Sequence, residues 1–182
     1  MKTSISTIIL FLLLNGLYAK SQGPAPKPIL TVLSVDSRGV NTDPLTMGSM
    51  VRTELEKLPE YNVTDKYDVI QFMEANKVSL NNCFGKSCLT EVGLMMKSDK
   101  MFSGSIEHFG KILVFTYRLI DVKNSEVEKT YVHEFLYLPE EILNMVKLSV
   151  ADMFAKPYDV NLMNKLSKPF ELDNSNNNPK VE

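Results

Sequence analysis

The sequence predicts one domain of the α/β (α+β) class, a sandwich in which a mixed sheet with an antiparallel C-terminal meander carries packed amphipathic helices. Three observations point there. A short run that is apolar on both faces, Ile29 to Val35, leads into a helical stripe. Three successive strand-like runs joined by tight turns follow between Met101 and Leu138. A clean amphipathic stripe from Ile142 to Phe154 closes the order.

The elements follow from local chemistry. Ile29 to Val35 (ILTVLSV) is short and rich in β-branched residues, as a central strand between helices would be, and Asp36-Ser37-Arg38-Gly39 should leave it as a turn. Asp43 can cap the next helix, with Pro44 at the first helical position. Met47, Met50, Val51, Leu55 and Leu58 make its apolar stripe. Arg52, Glu54, Glu56 and Lys57 fall mostly off that stripe and read as a solvated face. Tyr61 to Thr64 is a short strand, and Asp65 or Asp68 caps a helix near residues 68–76. Residues 79–87 form a cysteine loop, from which Ser87 opens a helix over 88–97. Met101–Phe109, Ile112–Asp121 and Glu126–Leu138 are the meander strands, with Gly110-Lys111 and residues 122–125 between them. On the last strand, Val127, Lys129, Tyr131, His133, Phe135 and Tyr137 share the better candidate for the core face. Pro139-Glu140-Glu141 opens the final helix.

The ends carry different signals. Lys2 precedes an apolar run, Ile8 to Leu14, and Ala19 and Ser21 supply small residues for cleavage. This is the pattern of a secretory signal over residues 1–21, cut near Ala19 to Ser21, and the run is far shorter than the roughly 20 apolar residues of a bilayer span. The chain is therefore expected to be periplasmic or secreted. Residues 22–28 form a proline-rich linker, 29–166 the domain, and 167–182 a polar tail whose composition predicts disorder. No cysteine lies near the cleavage site to take a lipid anchor.

Composition narrows the function. The whole chain has 20 basic and 22 acidic residues; removing Lys2 and Lys20 leaves 18 against 22, a net charge of −4. Without a concentrated basic face, nucleic acid is not an expected partner. Cys83 and Cys88 are the only cysteines, and an exported pair is expected to close into a disulfide. A redox-active pair is the alternative, but the spacing is not C-x-x-C.

Catalytic chemistry is sparse. There is no phosphate loop, no G-x-S-x-G and no H-E-x-x-H. The meander register pairs His108 with Leu113 and His133 with Val114, which puts the two histidines on opposite faces and argues against a shared metal site. Glu107, Glu128 and Glu134 read as solvated strand carboxylates. Asp36 and Arg38 follow a central strand, where α/β proteins often place ligands, yet no histidine has a supported place beside Ser34 or Asp36. No catalytic residue, metal or cofactor is expected.

The ordered pattern resembles a group of small bacterial envelope domains, the CsgG, LpoB and TolB amino-terminal type. The residues that carry it are ILTVLSVDSRG at 29–39, the helix end RTELEKL, YNVTDKYDV, the C-x₄-C loop at Cys83 and Cys88, Gly104-Ser105-Ile106, and Leu119-Ile120-Asp121-Val122, so it covers residues 29–154. The resemblance implies a non-enzymatic envelope protein that acts by binding other proteins. Three departures narrow it: no lipobox cysteine, no amphipathic pair for a pore barrel, and no propeller. What survives is an adaptor or accessory subunit whose partners are other cell-envelope proteins, with peripheral membrane attachment and self-association left open. Two other classes compete with it. One is a hydrolase with an unrecognised site built from Asp36, Arg38 or Glu107, which needs these to converge in a pocket. The other is a small-ligand or lipid carrier, which needs an apolar cavity between sheet and helices.

Overall fold

The computed structural model describes residues 25–79 and 83–167. The expected leader, the start of the linker, part of the cysteine loop and the tail beyond Ser167 lie outside the described residues. Among the described residues six strands are present: β1 (Ile29–Val32), β2 (Asp36–Arg38), β3 (Asn62–Val63), β4 (Lys100–Phe109), β5 (Ile112–Asp121) and β6 (Glu126–Leu136). Five helices accompany them: α1 (Pro44–Leu55), α2 (Lys66–Asn76), α3 (Lys86–Met95), α4 (Ile142–Met153) and α5 (Val160–Leu166).

The strands form one open mixed sheet in the order β3-β1-β4-β5-β6, with β2 also on β4. β3, β1 and β4 run parallel, and β4, β5 and β6 form the antiparallel meander. Two helix starts follow the expected capping chemistry, whereas α3 begins at Lys86 behind Gly85, so Ser87 lies inside its first turn and does not cap it. The Asp43 carboxylate accepts from the Leu45 and Thr46 amides at 3.0 Å, and Asp65 accepts from the Tyr67 amide at 2.7 Å.

Both sheet faces bury apolar side chains. On one, Leu30, Val32, Phe102, Phe115, Tyr117 and Phe135 pack under α1, α4 and α5. On the other, Met101, Ile120 and Leu33 pack under α2 and α3, with Val69, Met73, Leu89 and Val92. Helices thus cover the first face along its length, and the second face at one end.

Several expectations are corrected. Asp36–Arg38 is a strand, not a turn. β1 pairs with β4 at an offset of 70 residues (Leu30 with Lys100) and β2 at 69 (Asp36 with Ser105). One extra residue is therefore accommodated around Leu33–Val35, and the chain then rejoins β4 as a continuation of the same strand. Residues 139–141 form a separate 3-10 turn ahead of α4. A further helix, α5, follows, capped by the Asp159 carboxylate on the Leu162 amide. Arg52 is buried, not solvated: α1 lies between the sheet and its neighbours, and the guanidinium Nη2 donates to the Val32 carbonyl.

The meander contains a bulge. Ile120 pairs with Val127 but Leu119 pairs with Lys129, so Glu128 is the extra residue. Val127 therefore turns away from the face of Tyr131 and Phe135, contrary to strict alternation. The same shift pairs His133 with Phe115 rather than Val114, while His108 does pair with Leu113. Leu113 and Phe115 share a face, so the histidines do too, reversing the expected arrangement.

Candidate functional site

β4, β5 and β6 are each ten or eleven residues long, and α2 and α3 cover only the end near Met101 and Ile120. The disulfide loop marks the boundary. Cys83 and Cys88 are bonded, and Cys83 is buried. Between them, the Phe84 carbonyl accepts from Arg118 Nη2 at 2.8 Å and from Ser103 Oγ at 3.4 Å, which ties the loop to β5 and β4.

Beyond this loop no helix among the described residues covers the second face. Cross-strand pairing arranges it in rows. Phe109, Ile112 and Leu136 form one; Arg38, Glu107, Val114 and Glu134 the next; Asp36, Ser105, Thr116 and Val132 the third. Phe109 is 57% exposed and Val132 59%. This is an apolar patch with a charged middle row. Its signal in the sequence is that Ile112 and Val114 stand on one face of a strand whose other face, Leu113, Phe115, Tyr117 and Leu119, is already apolar.

The structure brings Asp36, Arg38 and Glu107 together on adjacent strands. Arg38 Nε pairs with Asp36 Oδ2 at 2.9 Å, Arg38 sits in register with Glu107, and Ser105 Oγ lies 3.4 Å from Glu107 Oε2. The Arg38 side chain is 71% exposed, so this group lies on an open surface. Glu107 and Glu134 are separated by a whole strand, with Val114 between them. Glu128 lies elsewhere, 2.5 Å from Lys100, which also pairs with Asp121 at 2.7 Å.

The histidines share a face but not a site. His108 stacks on Tyr137 with ring centroids 3.7 Å apart, and its nitrogens face the Gly39 and Gly110 carbonyls. His133 Nε2 lies 2.7 Å from Ser167 Oγ. That hydroxyl donates to the Met163 carbonyl, so the imidazole is the donor in the pair. Among the described residues no group of three or more His, Cys, Asp or Glu is arranged to hold a metal ion.

A cleft of about 250 Å³ opens between the C-terminal ends of α1 and α4, lined by Leu58, Val150 and Pro157 with Lys57, Lys147 and Lys156 at its rim. It lies at the helix surface. Between sheet and helices, the space is filled by Phe102, Phe115, Tyr117 and Phe135, all fully buried.

No family model matches the chain, and no curated protein matches it. Solved structures do. The chain is similar to the LpoB C-terminal domain from Salmonella enterica, with a TM-score of 0.52 and 12% identity over 63% of this chain and 88% of that one. It is similar to the lipoprotein GNA1162 from Neisseria meningitidis, with a TM-score of 0.51 and 12% identity over 72% of this chain and 99% of that one. The NMR structure of E. coli LpoB gives a TM-score of 0.50 and 13% identity over 59% and 56%. The fold is thus the one the sequence resemblance named, an α+β fold with an open mixed sheet like that of the LpoB domains.

Proposed function

We propose that this protein is an exported, non-enzymatic accessory subunit of a bacterial envelope assembly, and that it docks another envelope protein on the bare half of its sheet. The observation that carries this reading is the patch of Phe109, Ile112, Val114, Val132 and Leu136 on a sheet whose opposite face is covered along its length. Exposed apolar patches rimmed by polar groups mark protein contact sites. Glu107, Glu134 and Arg38, in the row between the apolar ones, select against unmatched partners. The likeness to LpoB domains and to a lipoprotein, together with the leader pattern at residues 1–21, supports an envelope location. Asp36 and Glu107 are partly buried at the sheet surface and Arg38 is exposed, with no described histidine beside them, which suits recognition better than hydrolysis.

The test is cross-linking and mass spectrometry of the tagged protein in its native cells, beside the variants Phe109→Asp and Val132→Asp. A specific envelope protein is expected with the wild type and is expected to be lost with either variant while the melting curve is kept. Capture of the same protein by both folded variants would move the contact off this face. Failure of the wild type to capture any envelope protein would remove the reading.

A further inference from the structure

The cleft between the C-terminal ends of α1 and α4 lies on the side of the sheet away from the docking patch, because both helices pack on the first face. Its floor is apolar: Leu58 and Val150, both buried, line it beside Ala151 and Pro157. Backbone acceptors at the two helix ends are already used by their own chain. The Lys57 amide donates to the Glu54 carbonyl at 3.2 Å and the Leu58 amide to the Leu55 carbonyl at 2.9 Å. In α4 the Phe154 amide donates to the Val150 carbonyl at 3.1 Å. The Lys156 amide donates to the Ala151 carbonyl at 2.8 Å, around Ala155 in the left-handed conformation. The polar groups that set the character of the cleft are therefore side chains.

Two of its three lysines are neutralised. Lys57 Nζ donates to both Glu54 oxygens, at 2.7 and 2.6 Å, and Lys156 Nζ pairs with Glu60 Oε1 at 2.5 Å. Lys147 is exposed and has no ion pair among the described residues. One positive charge is thus left over beside an apolar floor. An apolar cavity of roughly 150 Å³ holds a benzene-sized molecule, and pockets for drug-sized ligands start at roughly 300 Å³. A cleft of about 250 Å³ falls between them. We propose that it binds a small monoanion with an apolar tail, a medium-chain carboxylate of about ten non-hydrogen atoms, with the tail on Leu58, Val150 and Pro157 and the carboxylate on Lys147.

Titration of the isotope-labelled mature chain with octanoate, kept below its micellar concentration and followed by NMR, tests this. Saturable shifts are expected at the amides of 54–58 and 147–156. Octanol, with the tail and no charge, should bind about fivefold more weakly, and acetate, with the charge and no tail, more than about tenfold more weakly. Lys147→Glu should weaken octanoate about tenfold and leave octanol unchanged, since repulsion replaces attraction. Ala151→Leu should fill the cleft and remove octanoate binding while the melting curve is kept. Shifts that scatter over the surface without saturating would overturn the proposal. So would equal affinity for octanoate and octanol, or a folded Lys147→Glu or Ala151→Leu that binds octanoate as the wild type does. If Lys147→Glu does not fold, Lys147→Met keeps the aliphatic stem and should still cost roughly threefold; an unchanged affinity would overturn the proposal equally. Partner capture is a separate readout, since Phe109 and Val132 stand on the opposite face of the sheet.

Discussion

At the scale of single residues, His133 joins sequence to energetics most directly. It sits half-buried on the helix-covered face, and burial lowers its proton affinity below that of a free imidazole, although Asp152 and Glu134 pull the other way. A base whose folded pKa is depressed leaves the unfolded chain binding more protons between that value and 6.5. This contribution to stability is complete above 6.5 and is lost as the pH falls towards the folded value. Denaturant unfolding at pH 7.5 and 5.5 should show a loss for the wild type that His133→Gln reduces; identical losses would exclude it. Asp43, Glu60 and Asp121 act lower. Hydrogen bonds from Thr46, Lys156 and Lys100 respectively hold their pKa values down, so their contribution disappears only as the pH falls below the ordinary carboxylate range near 4.

At the scale of elements, the approach of α1 to the sheet depends on Gly48. A Cβ there would lie 2.8 Å from Ser34 Cα, a backbone atom that cannot swing aside. In an exposed helix, Gly→Ala stabilises by about 1 kcal/mol. Here Gly48→Ala should instead destabilise by about 1–3 kcal/mol, because the helix must lift from the Ser34–Val35 backbone between β1 and β2. Urea unfolding gives the sign, and a stabilised variant would mean that α1 shifts freely. The disulfide at the start of α3 closes a short loop. The Cys83→Ser, Cys88→Ser double variant should lose about 2 kcal/mol in the same assay. The element borders show how far local pattern reaches. Asp43, Asp65 and the apolar stripe of α4 are readable because caps and helical periodicity are written in neighbouring residues. β2 is not, since Asp-Ser-Arg-Gly has turn composition and becomes a strand only because β4 extends beyond β1.

Across the whole molecule, the two apolar layers are unequal. The layer under α1, α4 and α5 holds the large aromatic side chains, whereas the one under α2 and α3 is smaller and is closed at its margin by the disulfide loop. Stability should be unequal as well. Amides of α2 and α3 should exchange faster than those of α4, and reduction of the disulfide should widen the gap. Uniform exchange would mean a single cooperative unit. Phe109 and Val132 should contribute little to stability, because both are exposed in the folded state. Phe109→Asp and Val132→Asp should shift unfolding by no more than about 0.5 kcal/mol while abolishing partner capture.

The sequence by itself determined the class of fold, the order of its elements apart from β2 and α5, the caps of α1 and α2, and the apolar character of both faces of β1. Each of these is encoded within a few residues of where it acts. Only the tertiary structure decided which half of the second face α2 and α3 cover, that Asp36, Arg38 and Glu107 meet on the other half, and that His108 and His133 share a side. Those outcomes turn on single extra residues, one near Ser34 and one at Glu128. A strand's faces alternate with a period of two, so one inserted residue inverts everything after it, and where it is absorbed depends on the partner strand.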